Sequence, residues 1–172
     1  MHKLFNISII IILSVIALST ADTAYCQSGP SVVISTTDDA LAAKQLISFL
    51  EQNGVTTSGQ GDGWFILERN DLRYSLSPNM LESLDRIIVV TYFSVKPQYR
   101  NSQRLITAVM KLNKELNIGQ FSIDDDGDLL YLSMITFVDQ LYLEEINAFF
   151  TWDETLVLKL VVGAPDLLEI LE

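Results

Sequence analysis

The stretch Gly119–Ile135 constrains the fold of this chain more than any other. Phe121 and Ile123 alternate with polar neighbours, the period of a half-buried strand. Leu129–Ile135 is apolar on both faces and fits a central strand covered on both sides. Between them, Asp126-Gly127 offers the positive-φ pair of a tight two-residue turn. The stretch predicts a β-hairpin, and so an antiparallel sheet.

The hairpin tip carries Asp124, Asp125, Asp126 and Asp128 around Gly127. A calcium loop of the helix–loop–helix type needs oxygen ligands at its first, third and fifth positions, glycine at the sixth and glutamate at the twelfth. With Gly127 placed sixth, Ser122 stands first and Ser133 twelfth. The bidentate acid is missing and the flanks are strands, so the tip reads as a solvated turn. No metal or cofactor is expected.

Before the hairpin, Asp38 or Thr37 can cap a first helix whose apolar face is Ala43, Leu46, Ile47 and Leu50, ended by Asn53-Gly54. Gly59–Gly63 is glycine-rich, but strand residues Trp64–Leu67 follow it where a phosphate-binding loop needs a helix. It is expected to be a loop. Leu72, Tyr74 and Leu76 alternate as a second strand, and Leu84–Phe93 makes a third, central one. Pro97 leads into a second helix with Asn101 or Ser102 as cap and Leu105, Val109, Leu112 and Leu116 as its buried stripe. Arg104, Lys111 and Lys114 share the opposite side, with Arg100 nearby. They form a basic face in an acidic protein, able to meet an acidic partner or anionic lipid heads if it is not merely solvated.

A third helix is expected from about Asp139, with Leu143, Ile146, Phe149 and Phe150 inward and Asp153-Glu154 as a polar interruption. Leu156–Val162 is apolar nearly all round and fits a buried helix or a strand. Gly163-Ala164-Pro165 breaks it before a last short turn over 166–171. Glu144-Glu145 and Asp153-Glu154 are sequence neighbours that point apart on a helix, so they read as surface charge.

Function is bounded mainly by missing residue types. The single histidine is His2 and the single cysteine Cys26. His2 lies in a leader: His2-Lys3 is a short basic start, and Ile7–Leu18 has the length of a signal-peptide core. Small-residue exits follow Ala21 and Cys26. The expected organisation is a signal peptide over 1–26, a flexible lead-in over 27–36 and one α+β domain over 37–172. That domain cannot carry Ser-His-Asp or Cys-His catalysis, and it lacks the usual zinc ligands. Lys3 and Asp22 cancel within the leader, so the formal net charge stays at the −11 of the full 172 residues. Such a chain repels nucleic acid. Export to the periplasm or medium is expected, without stable membrane association once the leader is cut.

Leu105–Phe150 resembles the YbjN family: a helix ending Leu112-Asn113-Lys114-Glu115-Leu116-Asn117, then Gly119-x-Phe121, then Asp126-Gly127-Asp128-Leu129, a strand and a final helix. Thr151-Trp152, the Val/Leu run and Gly163-Ala164-Pro165 fit as well. The resemblance implies a bacterial regulator with a fold like type III secretion chaperones and no catalytic residues. With the periodicities above, the expectation is one five-stranded antiparallel sheet with helices in the order α-β-β-β-α-β-β-α. The expected function is a non-catalytic protein-binding or regulatory module, working through a protein partner or a homodimer. Arg104, Lys111, Lys114, Phe149, Phe150, Trp152 and Val157 are its candidate contacts. A carboxylate-dependent enzyme, or a tethered structural protein with an uncut leader, are the alternatives.

Overall fold

The computed structural model describes residues 29–81 and 84–172. The expected leader and both of its cleavage points lie outside them. Strand β1 (Ser31–Val33) precedes helix α1 (Asp39–Gln52), and strands β2 (Thr57–Gly61), β3 (Trp64–Arg69), β4 (Leu72–Asn79) and β5 (Asp85–Phe93) follow. Then come helix α2 (Gln103–Glu115), strands β6 (Gln120–Ile123), β7 (Leu129–Phe137) and β8 (Gln140–Tyr142), and helices α3 (Leu143–Val162) and α4 (Pro165–Leu168).

The expected α+β class with antiparallel pairing is correct, but the single five-stranded sheet is not. Six strands form the main sheet in the order β2-β3-β4-β5-β7-β6, and β1 pairs with β8 in a separate two-stranded sheet. The three missed strands lack an apolar period. Thr57–Gly61 is an almost wholly exposed edge with a bulge between Gly59 and Gly61. It is a strand where the glycines suggested a loop. Ser31–Val33 sits inside the expected lead-in, held by the register Val32↔Leu141. Asp139 does not cap a helix: its φ is +60°, in the tight turn where the Gln140 N–H bonds Val138 O at 2.6 Å. Helix α3 starts later, where the Glu145 carboxylate accepts the Tyr142 backbone N–H at 3.1 Å.

Local signals explain the other ends. Asp38 Oδ1 accepts the Leu41 N–H at 2.9 Å, and Ser102 Oγ accepts that of Leu105 at 3.2 Å, both as N-caps. Asn70-Asp71, with φ of +50° and +64°, joins β3 to β4 as a two-residue primed turn. Pro78 lies within β4 opposite Ile87, beyond the last β3 partner at Leu76, so its missing N–H removes no ladder bond on that side. The β6–β7 turn differs from the expected pair. Only Gly127 has positive φ (+83°). Its N–H bonds Asp124 O at 3.1 Å, and the Asp128 N–H bonds Asp124 Oδ1 at 2.8 Å. This is a three-residue loop ending in a glycine bulge.

The helices gather on one face of the main sheet. Helix α1 and the first half of α3 enclose one cluster with Phe65, Leu67, Tyr74, Leu76, Ile87 and Val89. Helix α2, the second half of α3 and α4 enclose another with Phe121, Leu129 and Tyr131. The opposite face is lined by the cross-strand row Ile66–Ser75–Val90–Leu132–Gln120. Ile66 and Val90 are buried yet belong to neither cluster. Among the described residues strand β7 is packed by helices on one face only, where both faces were expected to be covered, and Met134 on its other face is exposed. The β6 edge is closed by a side chain. Asn113 of α2 donates Nδ2 to Phe121 O at 2.9 Å and accepts the Phe121 N–H on Oδ1 at 2.8 Å. These are the bonds a further strand would make.

Candidate functional site

Helix α2 buries Leu105, Ala108 and Leu112 and turns its basic residues outward. Opposite it, the end of α3 and the start of α4 complete a groove of about 670 Å³. Ala108, Leu112, Leu160 and Leu167 line its apolar part, and Arg104, Lys111 and Lys159 supply the cations. Two of the three predicted basic residues are thus brought together with the apolar run of α3. Lys114 is exposed but does not line the groove. Arg100 turns away, its guanidinium 3.1 Å from Asp128.

Acids of the α4 segment meet the groove cations. Arg104 Nη2 lies 2.5 Å from Glu169 and 3.9 Å from Asp166, and its guanidinium stands 5.5 Å over the Tyr99 ring. Lys111 reaches Asp166 at 3.8 Å. The hydrogen bond to Arg104 holds the Glu169 carboxyl below its ordinary range. These contacts are exposed and salt-screened, so they position side chains more than they stabilise the fold.

The predicted aromatic contacts divide between surface and core. Trp152 is 39% exposed, 6.4 Å from the half-buried Phe149. Phe150 is buried against Tyr74 at 4.8 Å, and Val157 is buried in the second cluster. Both are core in the monomer, so Trp152 and Phe149 are the two of this set that can offer apolar surface. A shallow hollow beside Trp152 shares Lys159 with the groove, which links the two surfaces.

The expectation that Asp153-Glu154 lie on the surface is overturned. Helix α3 runs through them without interruption, Asp153 is fully buried and Glu154 nearly so. Glu154 pairs with Arg69 at 2.9 Å and accepts Asn70 Nδ2 at 2.8 Å. Asp153 faces the sheet centre, where Tyr74, Thr91 and Tyr131 stand in one cross-strand row and Ser133 in the next. Tyr131 and Ser133 lie close enough to favour the ionised carboxylate. Yet both Asp153 oxygens and Ser133 Oγ are buried without a partner at hydrogen-bond geometry. The Tyr131 hydroxyl donates instead to Ile118 O at 3.3 Å. Burial pushes the Asp153 carboxyl up to about 6 and both tyrosines well above their ordinary range. The sequence hint was there: Asp153 follows Ile146 and Phe150 at helical spacing, on the inward stripe.

Two acids of the hairpin tip, Asp124 and Asp128, are structural ties, and only the other two are solvated as expected. Asp128 Oδ1 accepts the Val95 N–H at 2.8 Å while its carboxylate holds Arg100. Asp125 and Asp126 remain exposed. Among the described residues no group of three His, Cys, Asp or Glu is placed to hold a metal ion, and no helix is long and apolar enough to cross a membrane.

Comparison with known proteins gives a family and a fold. Residues 42–159 match the family YbjN, described as "Putative bacterial sensory transduction regulator". No curated protein sequence matches. The structure resembles the "crystal structure of YbjN, a putative transcription regulator from E. coli", with a TM-score of 0.50 at 13% identity, covering 75% of this chain and 94% of that one.

Proposed function

The chain belongs to the YbjN family, and from that membership we propose that it is an exported, non-catalytic regulatory module that holds a segment of another protein chain. The observation that carries this reading is the groove between α2 and the α3–α4 corner. It joins an apolar floor to Arg104, Lys111 and Lys159 in a protein of net charge −11. An apolar floor supplies affinity, and a local basic rim on an acidic body selects acidic segments while the rest of the molecule repels them. Asp166 and Glu169 already sit on two of these cations, a contact that an acidic side chain of a partner can replace. The chaperone-like fold implied by the resemblance favours the same reading, and the leader favours export.

The test is titration of the full-length protein with two synthetic peptides of alternating leucine and charge, one acidic and one basic. The acidic peptide is expected to bind, and the double variant Lys111→Glu, Lys159→Glu to lose it. Equal binding of both peptides, or acidic binding untouched by the double variant, would overturn the reading. Addition of a second copy of the protein to itself, read by light scattering, tests whether the partner is the chain's own kind.

A further inference from the structure

We infer that Asp153 is a proton-operated joint: protonated, it fastens the middle of helix α3 to the sheet, and ionised, it loosens that contact. The inference goes beyond partner binding and stands whether or not the groove holds a peptide.

The geometry favours a neutral carboxyl. Asp153 is 0% exposed and lies where the two hydrophobic clusters meet beneath one helix. An ionised carboxylate in such a place needs a countercharge or several donors. Arg69 of β3 acts on neighbouring Tyr74 but is engaged elsewhere: it pairs with Glu154 at 2.9 Å and donates to Asn147 at 2.9 Å and Thr151 at 3.1 Å. The adjacent acid, Glu154 of α3, repels a second negative charge. From β4 comes Tyr74, whose hydroxyl is unpartnered, and from β5 the neutral Thr91. Strand β7 brings Tyr131, committed to Ile118 O, and Ser133, whose hydroxyl is also unpartnered. None of these hydroxyls stands at hydrogen-bond geometry to Asp153, and leaving a neutral carboxyl short of bonds costs less than leaving an anion short of them, so the acid form can stay where it is. The anion has to draw donors inward or admit water, and either requires α3 to move from the sheet. Burial acts in the same direction on its titration and outweighs the opposite pull of Ser133 and Tyr131.

The joint has a lever. Lys159, Leu160 and Gly163 of the groove wall follow Asp153 on the same helix. A loosened midpoint therefore reaches the groove through one continuous element.

The experiment uses the full-length protein labelled with carboxyl-¹³C aspartate. The Asp153 carboxyl, assigned through its backbone neighbours, is expected to titrate with a midpoint near 6. Amide exchange over 150–163, corrected for intrinsic pH dependence, is expected to quicken about tenfold or more between about pH 5 and pH 7.5. In Asp153→Asn that acceleration should vanish. A wild-type midpoint below about 4.5, or exchange over 150–163 that ignores pH, would overturn the inference. Both wild-type readouts decide it even if the variant does not fold.

Discussion

At the scale of single residues, the exceptional positions are those where one atom more, or one charge more, has no place. A Cβ on Gly119 would lie 2.5 Å from the Tyr131 hydroxyl, at a φ of +86°. A Cβ on Gly127 would lie 2.7 Å from Arg100 Cβ, at +83°. Gly127→Ala is expected to cost about 1–3 kcal/mol, from the left-handed backbone and the clash together. Urea denaturation checks it, and Gly29→Ala, with nothing within 4 Å of its Cβ, is the control with little effect. Asp153 is the charge without a place. Its carboxyl is raised from 3.8 to about 6. A raised acid contributes stability that is fully present below the unfolded value and lost as pH rises through the folded one. Wild type is therefore expected to melt several degrees higher near pH 4.5 than near pH 7.5, from a difference of about 2 kcal/mol across that window. Asp153→Asn should flatten this slope and raise the melting temperature at neutral pH. Calorimetry across that range checks both.

At the scale of elements, legibility in the sequence followed periodicity. Helices α1 and α2, their caps Asp38 and Ser102, and strands β3 to β7 declare themselves through apolar spacing or capping residues. Strands β1, β2 and β8 do not. Their residues are exposed or few, and they are strands because a neighbour offers backbone bonds, which no local pattern records. Helix α3 misled in another way. Asp153-Glu154 looked like a break because charge in an apolar run usually marks surface, whereas here the sheet beneath supplies hydroxyls and an arginine. The groove was half legible: the basic face of α2 could be read from 100° spacing, but its facing wall depends on a corner more than forty residues away. Val157 belongs to the core, so Val157→Asp is expected to unfold the domain by burying an unpaired charge. Loss of the cooperative melt checks this. A folded Val157→Asp monomer would mean that this part of α3 is not held as described.

At the scale of the whole molecule, export is the prediction that sets where the protein acts. Intact-mass analysis of protein from an envelope fraction is expected to show loss of the first 21 or 26 residues, and a mass retaining Met1–Leu18 would place the chain at a membrane instead. The bond pair from Asn113 has a consequence for assembly. A sheet with two free borders can be extended without end, each molecule's left border joining the next one's right. In the six-stranded sheet the β6 border is occupied at Phe121 by the protein's own amide, and β2, exposed among the described residues, is the other border. Two such molecules can join β2 to β2 about a twofold axis, and the joined object then has an amide-sealed border at each end. Growth of the six-stranded sheet past β6 is hindered by that pair of bonds, and replacing Asn113 with alanine removes the hindrance.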